Sequence, residues 1–307
     1  MRTFLIVLCL FLTGTVHAKE LILQPVRVAE NVYAVIGDLG GQTYENDGLN
    51  SNLGFVVSDA GVLVINTGPS QRVAQALHTA IKKITSQPVK WAINVNSQNH
   101  YWLGNTYFKS LGAVIIAHKE ADRIMRETGE VQLDANKTLL KEKIKGTRLT
   151  FPSELMDETR ELKLGGTIVQ LIYFGRAHTP GDMVVWLPQQ KIVYGGDIVF
   201  TDRMLAVIPI GDSKGWVEAF DKLMQLKPSF VVPGHGRSTA PEKASKDTHD
   251  YLVYLRAAAK KAIDQAETLQ DTVDNLDQSQ FKYLANFDLL AKRNLNRVYL
   301  EIEKESF

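Results

Sequence analysis

Apolar and polar positions change their period several times along this chain, and each change marks an element. Val32-Tyr33-Ala34-Val35-Ile36, Asn52-Leu53-Gly54-Phe55-Val56-Val57 and Val62-Leu63-Val64-Ile65 are short runs rich in β-branched residues. Together they read as a β-meander within residues 19–75. Asp59-Ala60-Gly61 supplies the turn between the last two. Thr67-Gly68-Pro69-Ser70 then stops the third run, and Val73, Leu77 and Ile81 recur at helical spacing. This predicts a helix from about Gln71 to Ile84. A strand from Val89 to Val95 follows, then a polar loop and a helix opening near Leu103-Gly104-Asn105 and ending at Gly112. Val114 to Ala117 reads as a strand, and Glu120 to about Lys145 as a charged helix with a break near Gly129, since glycine weakens a helix interior.

The second half repeats the β theme. Thr167 to Ile172 alternates, Met183 to Leu187 and Lys191 to Tyr194 are strand-like, Trp216 to Leu226 is helical, and Phe230-Val231-Val232 is a short buried strand. From Ala244 the pattern is helical to the end. Tyr251, Leu252, Leu255, Ala258, Ala259 and Ala262 form one apolar stripe, and Phe281 to Ile302 carries another. Such stripes are the packing faces of amphipathic helices. Two β-rich halves, each followed by helices, predict an α/β sandwich of two sheets with helices outside.

Composition adds a compartment. Arg2, the apolar run Phe4 to Leu12 and Val16-His17-Ala18 read as a secretory leader over residues 1–18, too short to span a membrane. The expected division is leader 1–18, domain 19–243 and a helical C-terminal extension 244–307 packed on the domain. A periplasmic or secreted protein follows, with no stable membrane insertion after cleavage. The single cysteine, Cys9, lies in the leader, so the mature chain has no thiolate and no disulfide. With 35 Lys and Arg against 34 Asp and Glu, net charge is +1, which offers no basic surface for nucleic acid.

Candidate chemistry gathers where buried strands end. His178 follows Leu171-Ile172-Tyr173-Phe174 and a Gly-Arg-Ala turn. Asp197 follows Val193-Tyr194 and Gly195-Gly196, and His235 follows Val231-Val232-Pro233-Gly234. Asn96, Gln98 and His100 occupy the loop after the strand ending at Val95. A rigid sheet brings such loop ends together at one edge. Imidazoles with a carboxylate make a donor set suited to zinc.

With those residues in view, the chain resembles the metallo-β-lactamase-fold hydrolases. The phrases that carry the resemblance are Asn52 to Val57, Val62-Leu63-Val64-Ile65-Asn66-Thr67-Gly68, Ala177-His178-Thr179-Pro180-Gly181-Asp182, Gly195-Gly196-Asp197 and Pro233-Gly234-His235-Gly236. They run in the family's order over about Val32 to Arg237. The resemblance implies a four-layer αββα sandwich with two metals at one sheet edge. His178 would bind the first, Asp197 would bridge and His235 would bind the second. Gly196-Asp197-Ile198-Val199-Phe200, Gly215-Trp216 and the tail Arg293-Asn294-Leu295 to Glu303 further resemble a periplasmic subgroup tied to sulfur-oxidation and quinoprotein systems.

The chain departs from the family at the loop, which should read His-x-His-x-Asp-His. Asn96 and Gln98 stand for the two histidines, His100 for the aspartate, Tyr101 for the last histidine, and Asn66 for a supporting aspartate. Amide oxygens are poor zinc ligands beside imidazole, so the first site is expected to be weak or absent. One zinc ion on His100, Asp197 and His235 remains the expected cofactor, with His178 joining it or acting as a nearby base. Tyr101 either packs and hydrogen-bonds behind the ligands or donates to a developing oxyanion. Asp182 either orients His178 or caps a turn.

His118 is expected to pack at a helix start. His78 and His249 are expected to face solvent, and Asp157 to Arg160 to form a solvated charge cluster. Two functions follow as expectations. One is a metallohydrolase acting on an ester, lactone, thioester or amide, its partner a small molecule. The other is a metal-free accessory module that binds a periplasmic protein.

Overall fold

The computed structural model describes residues 20–306, so the expected leader lies outside the described residues. The chain builds two sheets. The first takes β1 (Val26–Ala29), β2 (Val32–Val35), β3 (Leu53–Ser58), β4 (Gly61–Ile65), β5 (Val89–Asn94), β6 (Val114–His118) and β7 (Glu154–Met156), paired in that order. Pairing is antiparallel through β4 and parallel beyond it. Parallel pairing needs crossovers, which are α1 (Gln71–Lys82), the short α2 (Asn99–Trp102) and α3 (Asn105–Ser110), and α4 (Lys119–Leu140). The second sheet has β8 (Thr159–Leu164), β9 (Thr167–Tyr173), β10 (Met183–Leu187), β11 (Ile192–Phe200) and β12 (Phe230–His235), in the order β12-β11-β10-β9-β8.

The sheets face each other across one core that includes Val56, Ile93, Leu171, Val185 and Val232. Gly54 sets their approach. A Cβ there would lie 2.3 Å from the Tyr194 ring, whose hydroxyl crosses to donate to the Tyr33 carbonyl. Outside the first sheet, α1 buries Val73, Leu77 and Ile81 against it, and Ser70 caps that helix by accepting from the Val73 amide. Outside the second lie α5 (Ser213–Gln225), α6 (Pro241–Ala244), α7 (Asp250–Asp264), α8 (Leu269–Asn275) and α9 (Phe287–Glu305). Tyr251, Leu255, Leu295 and Val298 of α7 and α9 share a core with Trp216, Val193 and Val231. The result is the αββα sandwich, with the C-terminal helices on its flank. No described helix is long and apolar enough to cross a membrane.

The structure corrects several local expectations. Helix α4 runs unbroken through Gly129, because that residue is chosen for packing: a Cβ there would press to 3.2 Å on Trp102. Strands β1, β7 and β8 were not expected, being short edge strands or strands with exposed charges that hide the apolar alternation. Asp157 to Arg160 is solvent-facing as expected, and it forms the turn from β7 into β8, with Asp157 paired to Lys119. His78 and His249 are half-buried and partnered, His78 by the Tyr107 hydroxyl and His249 by Asp221 and Asp250. His118 does cap α4, accepting from the Glu120 amide while it stacks on Tyr173.

Candidate metal centre

Four elements deliver the site. The stretch from the β5–α2 loop into α2 brings Asn96 and Gln98 from the loop and His100 and Tyr101 from the helix, the β9–β10 loop brings His178, β11 brings Asp197, and β12 ends on His235. Asp197 reaches the centre because β11 loses register with β12 on both sides of Gly196, which sits at φ +51°. A bulge there re-aims the next side chain. Gly234 lets β12 run against that carboxylate: a Cβ would lie 2.5 Å from both Asp197 Oδ1 and the Tyr101 hydroxyl.

Asp197 is the hub and is buried. Its Oδ1 accepts from the Tyr101 hydroxyl at 2.5 Å, and its Oδ2 from Asn96 Nδ2 at 2.8 Å. His235 Nε2 lies 3.3 Å from Oδ1, while His100 Nε2 and His178 Nε2 each lie 3.7 Å from Oδ2. Burial works against the carboxylate charge, but His235 above all, with His100 and His178, more than offsets it and holds the carboxyl well below its ordinary range. Burial in turn lowers the imidazoles, His235 below its usual value and His178 to about 4. Tyr101 is raised well above the usual phenol range, first by burial and then by Asp197, so it keeps its proton.

The structure thus brings His100, Asp197 and His235 together, with ligand atoms within 4.8 Å of one another. His235 Nδ1 donates to the Asn50 carbonyl at 2.6 Å, which fixes the tautomer and leaves a lone pair on Nε2. His100 Nε2 is buried without a hydrogen-bond partner. A carboxylate and two imidazole nitrogens facing one another need positive charge between them. These three residues fit a single divalent cation.

The other candidates take different places. His178 Nε2 pairs with Gln98 Oε1 at 3.0 Å. The one proton of Tyr101 is engaged by Asp197, so the ring packs and hydrogen-bonds behind the ligand. Asp182 accepts from the backbone N–H and the hydroxyl of Thr179, which is the turn cap. Burial pushes its carboxyl up to about 8, although the Thr179 bonds pull the other way.

A raised folded-state pKa means stability that is full below the unfolded value near 4 and lost as pH rises through about 8. Wild-type stability relative to Asp182→Asn is therefore expected to fall from pH 4 to 8, by up to about 1.4 kcal/mol per pH unit. Urea denaturation of both proteins at several pH values checks this. A flat or rising difference refutes it.

Residues not expected to support the ligands also hold the centre in place. Asn52 donates to the Pro233 and Gly236 carbonyls and accepts from the Gly37 amide, tying β3 to the His235 turn. Arg203, half-buried, donates to the Gly40 carbonyl at 2.8 Å, and its Nη1 lies 3.3 Å from His235 Nδ1. Ala285 pairs in the backbone with 202–204, and Asn286 donates to the Leu39 carbonyl, so the C-terminal extension braces the loop that carries Asn50. The phrase Asn52-Leu53-Gly54 was a usable signal; the others gave none. A groove of about 280 Å³ opens beside Gln98, lined by Ile124, Ile208 and Ile210 with Asn99 and Gln132, and no ionisable side chain faces it.

Comparison with known proteins agrees with this geometry. A family model described as the metallo-beta-lactamase superfamily matches residues 46–235. The metallo-beta-lactamase type 2 of Bacillus sp. (strain 170) is 26% identical over 240 residues, covering 75% of this chain and 90% of that protein. Metallo-beta-lactamase IND-1 of Chryseobacterium indologenes is 20% identical, covering 76% and 90%. Among solved structures, a metallo-beta-lactamase from Pontibacter korlensis superposes with a TM-score of 0.62 at 23% identity, covering 75% of this chain and 99% of its own.

Proposed function

Because this chain belongs to the metallo-β-lactamase superfamily, we propose that it is an exported hydrolase working with one zinc ion held by His100, Asp197 and His235. The observation that carries the reading is the orphaned His100 Nε2 beside the lone pair that His235 Nε2 turns toward it and the Asp197 carboxylate. When bound, a zinc ion on two imidazoles and a carboxylate supplies Lewis acidity and an acidified water near neutral pH.

The chain's own residues do the rest. Asn50 holds the His235 proton at Nδ1 and so presents Nε2 inward. Tyr101 and Asn96 hold the Asp197 carboxylate in orientation. His178 stays neutral at pH 7 and, with Gln98, walls the site beside the groove. The uncharged groove suits the acyl portion of an ester, lactone, thioester or amide: three isoleucines take its apolar part and the amides of Asn99 and Gln132 border the polar part. Residues 1–18 would deliver the chain to the periplasm, in keeping with the resemblance of Gly196 to Phe200, Gly215-Trp216 and the tail to the subgroup linked to sulfur oxidation and quinoproteins.

A second reading has its own support. Asn96 with Asp197, and Gln98 with His178, satisfy half of the centre without any cation, which suits an accessory protein that kept the fold and lost the metal. One experiment separates the two. Elemental analysis of periplasmically expressed protein is expected to give about one zinc per chain in the wild type and none in His235→Ala, with chelator-sensitive hydrolysis across a panel of activated esters and lactones. No zinc in either protein, after zinc is supplied during expression, sinks the hydrolase and leaves the accessory reading.

A further inference from the structure

The centre is asymmetric in how its polar atoms are satisfied. Toward His100 and His235, the His100 Nε2 has no hydrogen-bond partner and lies 3.7 Å from Asp197 Oδ2, and His235 Nε2 lies 3.3 Å from Oδ1. On the opposite side four side chains converge, Asn96, Gln98, His178 and Asp197, and their facing polar groups are paired. Asn96 Oδ1 accepts from the Gln98 backbone N–H at 2.9 Å. That contact fixes which end of the amide is oxygen, so the nitrogen must be the end that meets Asp197 Oδ2 at 2.8 Å. Gln98 Oε1 meets His178 Nε2 at 3.0 Å, and that nitrogen lies only 3.7 Å from Asp197 Oδ2. Tyr101 occupies the other carboxylate oxygen.

We infer that Asn96 and Gln98 fill, with their own amide groups, the place where a second cation would otherwise sit, so that the chain takes one divalent ion and excludes another. This deepens the reading that His100, Asp197 and His235 hold an ion, and rests on it for the ion that is kept. The physical argument has two parts. A cation entering between Asp197 and His178 must displace an amide N–H from a buried carboxylate and break the Gln98–His178 bond. In exchange it finds, besides His178 and Asp197, only neutral amide oxygens where two further imidazoles would be needed, and these bind zinc poorly beside imidazole. Asn96 is then a positioning residue: it supplies to Oδ2 the hydrogen bond that replaces the missing charge and leaves the carboxylate aimed at His100 and His235.

The same convergence predicts how to reverse the exclusion. Imidazoles at positions 96 and 98 would join His178 and Asp197 in a set of three nitrogens and one carboxylate, a tetrahedral zinc donor set. The test is ion stoichiometry, with no need for hydrolysis. Wild type and Asn96→His/Gln98→His are loaded with zinc, dialysed against a low-micromolar zinc buffer and analysed by mass spectrometry, with circular dichroism to confirm folding. The expected counts are one ion per chain in the wild type and two in the double variant, returning to one when His178→Ala is added.

Two ions in the wild type, or no added ion in a folded double variant, overturns the inference. No ion in the wild type but one in the double variant would refute the function proposed above while upholding this one. If the double variant does not fold, cobalt titration of the wild type decides: a visible-absorption endpoint at one equivalent supports the exclusion, and an endpoint at two overturns it.

Discussion

Asp197→Asn is expected to strip the protein of its metal and abolish metal-dependent hydrolysis, with the fold retained. The substitution keeps the shape of the side chain and removes its charge. Among the described residues, Asp197 is the only carboxylate within ion-pair distance of His100, His178 and His235 alike. Removing one partner of a buried charge cluster costs about 3–5 kcal/mol, which corresponds to a loss of roughly 10²- to 10³·⁵-fold in ion affinity. Elemental analysis and a competitive zinc chelator give the measurement. Zinc bound at wild-type affinity in Asp197→Asn would mean that the ion, if present, is held elsewhere. Asp197→Ala should do more damage to the metal-free protein, because it also leaves the Tyr101 hydroxyl and the Asn96 amide buried without their acceptor.

Trp216→Ala should cause the largest loss of stability of any substitution outside the ligand set, about 3–5 kcal/mol. Trp216 is buried at the join between α5 and the second sheet, and its indole donates to the Ile198 carbonyl at 2.9 Å. Its ring meets the His178 ring edge-on at 5.1 Å and leans on Phe200, which itself stacks on His235 at 4.8 Å. Deleting it opens a cavity beside the His178 ring and behind Phe200, the ring that stacks on His235. Urea denaturation of the metal-free protein should show the midpoint falling with little change in slope, and Trp216→Phe should recover most of the loss apart from the single hydrogen bond, about 1 kcal/mol. Zinc affinity should weaken in the alanine variant as well, since Phe200, the ring stacked on His235, loses its support. An unchanged midpoint would mean that the indole is not part of the cooperative core.

The placement of His178, Asp197 and His235 was legible from sequence because a single local pattern carries each: a buried apolar strand, a glycine-bearing turn, then a polar residue. The sandwich was legible for the same reason, since runs such as Met183 to Leu187 and helices such as that opened by Ser70 announce themselves within a few residues. The short strands β1 and β7 were not, because a strand of three or four residues at a sheet edge owes its conformation to its neighbour more than to its own side chains, and β8 was hidden by the exposed polar and charged residues that alternate along it. Gly129 misled in the same way, its missing Cβ answering to Trp102 rather than to the helix.

By itself, then, the amino-acid sequence determined the class of the fold, the strand ends that carry the imidazoles and the carboxylate, and the substitution of amides for imidazoles at 96 and 98. Only the tertiary structure decided what those amides do. Asn96 meets Asp197 across 101 residues of chain, Gln98 meets His178 across 80, and the Asn50 carbonyl fixes the tautomer of His235 across 185. Local pattern is written in the intrinsic preferences of neighbouring residues, whereas a buried hydrogen bond between distant side chains exists only once packing has excluded water and left each donor a single acceptor within reach.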